Sequence, residues 1–570
     1  MYLTEKEGKF SITAASYSAE VSKEKIDLIL AGETVASLSP VSCVCAVDGG
    51  ERGADEDFMN GLVLTCKEEG GDAVFTWEAP SSAVWDKVYF ILRATELRLE
   101  YRVKVSGRGA VDEVMYFKGI HGSSYEFDRG FTPVPTVDGT AQCEFAAEKE
   151  HKEFSYLTVP PMFVYVFDVC GISDKLAFAL AAERGEHNFT YFHYNVQADG
   201  ARSGFFFTTD QRGHTKVDGE WTTPAVLIYG SSSREEAFKA YADYYFAKGI
   251  ADVKEHFRRP RFWYGPIACG WTEQAAYSDV SGLGYSQPDM ARRETYDNFV
   301  KELEARDLHP TLMIIDDKWQ TKYGDPCADP DKWRDLRAWI DRNREKNGIH
   351  TMLWYKLWDS EGLPDDECMA SDSTWIQRVA DPTNPKYRAR LEEIMHRLLS
   401  SDAGCYNADG LKLDFAFFQP TGREAVSYSG KYGVELFLEY IKTVYRYAKE
   451  AKPDCVISAS PCHPLFAPYV DHARLHDYHP YLRRCPEEFS FRRDIYHTAL
   501  PWSLIDTDGA GYRSHRDTLR YLLSSYRIGI PDLYCVNDLF GLHITDGDWR
   551  AVANVWREYS EWADKMAEKR

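Results

Sequence analysis

From Phe262 onward the chain repeats one pattern: an amphipathic helix signal, a short apolar run, and a polar or aromatic cluster where that run ends. DMARRETYDNFVKELEARD leads into TLMIID, DPDKWRDLRAWIDRNREKNG into IHTMLWY, and NPKYRARLEEIMHRLLS into GLKLDF. GVELFLEYIKTVYRYAKEA leads into CVISAS, a short link into HARLHD, EEFSFRRDIYHTA into WSLID, and HRDTLRYLLSSYRIG into DLYCVND. Apolar runs of this length, alternating with helices of 3.6-residue period, predict parallel strands covered by helices. With the opening FWYGPIACGW there are about eight such strands in roughly 300 residues, the count and size of a (β/α)8 TIM barrel spanning residues 255–570. An open doubly wound sheet is the rival, but no Gly-rich phosphate loop follows a first strand.

Residues 1–232 have a different period. FILRATELRLEYRVKV, FTYFHYNV, ARSGFFFTTD and TPAVLIYG alternate apolar and polar positions, and turn clusters such as VDGGERGADED separate them. That texture predicts an N-terminal antiparallel β-sandwich of many short strands. SREEAFKAYADYYFAKG then predicts a linker helix within residues 233–254, with Ser233 as N-cap and Gly249 as its stop. The residues after the last predicted strand are too few for a C-terminal β-domain.

Lysine and arginine number 67 against 89 acidic residues, a net charge of −22. Such a surface repels phosphate backbones and anionic bilayers, so neither nucleic acid nor membrane is an expected partner. The opening MYLTEKEGKFSITAASY lacks the features of a secretory leader, and the expected location is the cytoplasm. The 13 cysteines form no C-x-x-C pair, which fits buried thiols in a reducing compartment. Asn188 opens an N-F-T triplet, without meaning for a chain that is not secreted. Aromatic residues make up 14% of the chain, and their flat faces suit sugar rings as well as ordinary cores. Homo-oligomerisation is left open.

In a barrel the chemistry sits where strands end. Here nearly every predicted strand ends in polar or aromatic residues: Trp271; Asp316, Asp317 and Trp319; Trp354, Lys356 and Trp358; Lys412 and Asp414; Arg474, His476 and Asp477; Asp506 and Asp508. Lys412 and Asp414 lie two apart on a strand and so share its inner face. A buried lysine beside a buried carboxylate keeps the latter ionised, and an ionised, oriented carboxylate can attack an anomeric carbon. A structural ion pair is the competing assignment. Glycoside cleavage needs a second, protonated carboxyl, for which Asp477 is the candidate; it competes with a loop cap or an ion pair to Arg474 or Arg483. Asp316 and Asp317 would accept hydrogen bonds from sugar hydroxyls once the strand has ended at Asp316. A divalent metal on Asp316, Asp317 and Asp414 is disfavoured because no ligand motif accompanies them. His463, His472, His476 and His479 crowd one segment without zinc-ligand spacing, and only His476 is kept as a substrate contact. Trp271, Trp319, Trp354 and Trp358 either wall a sugar or fill the barrel's upper layer.

IIDDKWQ at the second strand, GLKLDF at the fourth and R-x-x-D at the sixth, behind a β-sandwich, resemble the clan of retaining α-glycosidases that holds the α-galactosidases of families 27 and 36 and the α-glucosidases of family 31, with family 36 nearest in appearance. The resemblance implies that Asp414 is the nucleophile, that Asp477 is the acid/base, that Lys412 contacts sugar hydroxyls, and that Asp316 and Asp317 select among hexose epimers. It implies a galactose-type substrate and no cofactor. The sequence departs from family 36 at the fifth strand, where SASPCHP stands in place of a Cys-x-x-Gly-Gly-like stretch, and at the sixth, which lacks a doubled Asp. Those departures leave α-glucosidase, modified-hexose and transglycosylase activities open, alongside a non-catalytic carbohydrate-binding protein.

Overall fold

The computed structural model describes residues 1–47, 60–80, 84–119, 122–133, 144–151, 160–197, 204–255, 258–281, 284–372, 376–475, 485–509, 515–537 and 544–569. The strands described among its first 231 residues form two antiparallel sheets. One has six strands running from Tyr2–Lys6 to Glu33–Leu38, with Ser124–Tyr125 at its edge. The other has twelve and is organised around two long strands, Leu99–Tyr116 and Phe205–Thr222, paired antiparallel. Period-two patterning explains the burial: Leu99, Tyr101, Val103 and Val105 face the core.

The strands differ from the sequence expectation in length. FILRATELRLEYRVKV is not one alternating run but the end of Trp85–Ala94, a turn closed by Thr95 N–H donating to Arg98 O at 2.9 Å, and the start of Leu99–Tyr116. The turn carries no Gly or Pro, so the alternation runs straight through it. The stretch ARSGFFFTTD likewise continues well past its predicted end, as far as Thr222.

The helix Arg234–Ala247 follows, capped by Ser233, whose Oγ accepts from Glu236 N–H at 3.2 Å; Gly249 takes the left-handed conformation just beyond it (φ +66°). Tyr241 Oη lies 2.9 Å from His463 Nε2, so this helix ties the sheets to the barrel.

The barrel strands are β1 (Ile267–Cys269), β2 (Leu312–Ile315), β3 (His350–Lys356), β4 (Gly410–Asp414), β5 (Val456–Ala459), β6 (His472–Arg474), β7 (Leu504–Asp506) and β8 (Asp532–Leu533). They pair in parallel in the order β7-β6-β5-β4-β3-β2-β1-β8, and a parallel bridge from Asp506 to Ile530 nearly closes the ring. Inside, Ile267, Leu312, Ile314, Met352 and Val456 pack against Trp263 and Tyr264. The helix Trp271–Ser281 after β1 is not signalled in the sequence reading. No helix among the described residues is long and apolar enough to cross a membrane.

Two buried aspartates staple the lower rim. Asp471, just before β6, accepts from Lys254 Nζ and Lys449 Nζ, both at 2.8 Å, and from Ile457 N–H at 3.0 Å. Asp409, just before β4, takes Lys452 Nζ at 2.8 Å, Arg344 Nη2 at 3.0 Å and Thr351 N–H at 3.0 Å. At the opposite rim the N-terminal sheets hold the loop that follows β4. Tyr432 Oη donates to Asp210 at 2.9 Å, His214 stacks on the Tyr432 ring at 4.1 Å, and Arg423 pairs with Asp112 at 2.9 Å.

Candidate active site

β4 presents Gly410, Lys412 and Asp414 to the barrel interior and Leu411 and Leu413 to the helices, as a two-residue period requires. Lys412 stops at mid-depth and Asp414 reaches the mouth, where its side chain keeps 18% of its surface open. The chain turns at once, because Phe415 is left-handed (φ +61°) and donates its N–H to Asp414 Oδ1 at 2.9 Å. Trp354 Nε1 donates to Oδ2 at 3.0 Å, and Arg474 Nη2 to Oδ1 at 2.9 Å. A carboxylate held on both oxygens by N–H donors, one of them a guanidinium, is oriented and kept anionic.

The cation in contact with it is Arg474 on β6, and Lys412 acts on Asp414 through its charge alone. The expectation that Lys412 is the partner of Asp414 is therefore corrected. Lys412 Nζ donates instead to Asp316 Oδ2 at 2.8 Å, and to Tyr534 Oη at 3.4 Å, with Cys269 Sγ at 3.6 Å. The two-residue spacing separates Lys412 from Asp414 along the strand, while the barrel's curvature brings Asp316 across to the lysine. The charge of Asp316 holds the buried Lys412 well above the ordinary lysine range against the pull of desolvation. Both side chains are 3% exposed, so in this conformation Lys412 and Asp316 form the floor of the site rather than its open wall.

β2 ends at Ile315, one residue before the aspartate pair, and Lys318 is left-handed (φ +72°), so the two carboxylates are free to diverge. Asp316 goes inward. Asp317 stays half-buried, accepts from Tyr323 Oη at 2.8 Å, and is pushed up to about 6: burial raises it most, the charges of Asp316 and Asp414 add to that, and the Tyr323 bond and Lys356 oppose it. Lys356, at the end of β3, pairs with Asp359 at 2.8 Å and lies over the rings of Tyr323 and Phe415.

Trp319, Trp354 and Trp358 are buried, which makes them the packed upper layer of the barrel. Trp319 Nε1 donates to Trp354 O at 2.9 Å and so fixes the indole that holds Asp414. Trp271 is half-buried at the start of the helix after β1, where its carbonyl accepts from Gln287 Nε2 at 2.7 Å. His476 and Asp477 lie outside the described residues, as do His479 and Arg483. Ser458, Ser460, His463 and His472 are buried, and burial pushes His472 down to about 3, so it stays neutral. Among the described residues no group of three or more His, Cys, Asp or Glu is set to hold a metal ion.

Two groups that touch this network were not assigned a role from sequence. Asp508, beyond β7, accepts from Arg474 Nη1 at 3.0 Å. Tyr534, beyond β8, donates to Asp508 Oδ1 while accepting from Lys412. The strand-end position marked Asp508, but nothing in DLYCVND set Tyr534 apart from a core aromatic. Below them Asp506 and Asp532 are buried on neighbouring strands; burial pushes Asp506 up to about 6 and Asp532 well above the carboxylate range.

No protein-family model matches the chain, and no curated protein matches it. Solved structures do, over nearly its whole length. An α-galactosidase from Lactobacillus brevis is 11% identical, with 97% of this chain and 83% of that one covered and a TM-score of 0.52. A family 36 α-galactosidase from Geobacillus stearothermophilus is also 11% identical, covering 99% and 86% at a TM-score of 0.51. A cycloalternan-forming enzyme from Listeria monocytogenes, solved with a pentasaccharide substrate, is 12% identical at a TM-score of 0.50; the match covers 98% of this chain but only 54% of that enzyme, about half its length. At these identities the likeness establishes a common fold, with antiparallel sheets leading into the barrel.

Proposed function

We propose that the protein is a retaining α-glycoside hydrolase acting on α-linked hexosides, with Asp414 as nucleophile. The observation that carries this reading is the Asp414 carboxylate: it is fixed by Arg474, Trp354 and its own following N–H, yet open at the mouth of the barrel. A purely structural carboxylate on that strand would have no reason to be the part-open member of an otherwise buried set. Attack on the anomeric carbon forms a glycosyl ester and expels the leaving oxygen, which takes a proton from Asp477. Asp477 then deprotonates the water that opens the ester and returns Asp414 as carboxylate. Asp317 and Trp271, both half-buried, are assigned to sugar hydroxyls and ring faces, and His476 is assigned a substrate contact from its place in the sequence. The family 36 likeness favours galactosides. The likeness to the cycloalternan-forming enzyme supports a second reading, transfer of the glycosyl group to a sugar hydroxyl in place of water. The substrate is expected to be carbohydrate.

The test is turnover of nitrophenyl α-galactoside and α-glucoside. Asp414→Gly should lower kcat by at least about a thousandfold. Azide should then restore turnover and give the β-glycosyl azide, because a small anion fits the vacated space and attacks from the same face. An Asp414→Asn protein with full activity defeats the assignment. Product analysis with excess sugar acceptor separates hydrolysis from transfer.

A further inference from the structure

Asp414 and Asp508 divide one guanidinium between them. Arg474 gives Nη2 to Asp414 Oδ1 at 2.9 Å and Nη1 to Asp508 Oδ2 at 3.0 Å, and its side chain is 2% exposed. An arginine facing a single carboxylate offers it a two-pronged contact and its whole charge. Here a second anion competes for it. Asp508 is wholly buried and left-handed (φ +55°), a conformation uncommon outside glycine that aspartate adopts more readily than most residues. Three contacts hold it: its N–H donates to Asp506 Oδ1 at 2.9 Å, its carbonyl accepts from Tyr521 Oη, and its Oδ1 accepts from Tyr534 Oη. Tyr534 in turn accepts from Lys412, which also donates to Asp316. The two ion pairs of the site are thus joined through Tyr534 and Asp508.

We propose that Asp508, held in place by Tyr534, is a positioning residue that limits how much of the Arg474 charge reaches Asp414 and thereby keeps that carboxylate reactive as a nucleophile. This deepens the glycosidase reading and rests on it. A carboxylate given all of Arg474 is a weaker base and a poorer nucleophile, while one with no cation beside it does not stay ionised in a part-buried site. Among the described residues, the other charged groups near Asp414 include Asp316 and Asp317 after β2, Lys356 on β3 and Lys412 on β4. Around Asp508 the described ones include Asp506 on β7, Asp532 on β8, Arg474, and Lys412 by way of Tyr534. None of the others shares a hydrogen-bond donor with Asp414 among the described contacts.

The experiment is the pH profile of kcat/KM for a nitrophenyl α-glycoside, whose acid limb reports the nucleophile in the free enzyme. Asp508→Asn removes the competing charge and keeps the shape, so the acid limb moves down by about one pH unit, and kcat falls about tenfold for a poor leaving group. Tyr534→Phe strips a hydrogen bond from Asp508, which then draws harder on Arg474, and the limb moves the opposite way, up by several tenths of a unit. A scaffold role for either residue would lower activity or stability without opposed shifts. Limbs that coincide with the wild type within about 0.2 unit in both variants overturn the proposal. If Asp508→Asn does not fold, the upward shift in Tyr534→Phe decides it alone. A wild-type protein that turns over no α-glycoside, or an active Asp414→Asn protein, removes the glycosidase reading and this inference together; an active wild type with a silent Asp414→Asn and unmoved limbs removes the inference only.

Discussion

Replacing Asp317 with Asn exchanges a carboxyl that folding has pushed from its ordinary 3.8 to about 6 for a neutral group of the same shape. The main cause of the shift is burial of the ionised form, with the charges of Asp316 and Asp414 behind it. An acid whose pKa rises on folding binds its proton more tightly in the native state, so it costs stability wherever it must ionise. Below about pH 4 the group is protonated in both states and the substitution changes little. Between about pH 4 and 6 the unfolded chain ionises first and the native state loses ground; above about 6 the full difference persists. The shift of about 2.2 units corresponds to about 3 kcal/mol at 1.36 kcal/mol per unit, and partial opening of the side chain to water lowers that to about 2 kcal/mol. Asn keeps an oxygen for the Tyr323 hydroxyl, which now lies 2.8 Å from Oδ1, so no donor is orphaned. Urea unfolding followed by tryptophan fluorescence at pH 3, 6 and 7.5 should show Asp317→Asn equal to the wild type at pH 3 and more stable at pH 7.5. On the proposed role of Asp317 as acceptor of a sugar hydroxyl, the gain should come with a higher KM. A gain of the same size at every pH, or a loss at pH 7.5, refutes the electrostatic argument.

Lys412→Met leaves Asp316 buried without its cation and should cost about 3–5 kcal/mol at neutral pH. The double variant Lys412→Met with Asp316→Leu should recover part of that loss, measured by the same denaturation; a single-variant cost below about 1 kcal/mol would mean that Asp316 finds another partner. At the lower rim, Lys254 and Lys449 hold Asp471 down at about 2 against its burial. A depressed carboxylate stabilises the fold above its unfolded value of 3.8 and gives that up as pH falls through about 2. Asp471→Asn should therefore cost at least about 2 kcal/mol at pH 7, with the gap to wild type narrowing toward pH 2 in acid unfolding.

The alternation of helix and strand periods after Phe262 carried the barrel, since each buried strand needs an apolar run and each covering helix an apolar stripe. The cap at Ser233 was legible for the same local reason: a side-chain oxygen placed before an acidic first turn. Strand ends in the N-terminal sheets were less legible, because the turn at Thr95–Arg98 is closed by its own backbone and side-chain bonds and carries no Gly or Pro to mark it. The strand-end cluster marked the rim where the contacts of Asp414, Arg474 and Asp508 gather, and the two-residue period put Asp414 on the inner face of β4.

Which charges meet was settled by the barrel. Lys412 and Asp414 are two residues apart in the chain, yet Lys412 pairs with Asp316 and Asp414 with Arg474, 96 and 60 residues away. Tyr534 joins those pairs from just beyond β8, in a stretch where its sequence reads as plain core. Period and composition fix the direction a side chain faces, because that depends on the local backbone. Partners inside a closed ring depend on the stagger and curvature of eight strands at once, and no stretch of sequence shorter than the barrel contains them.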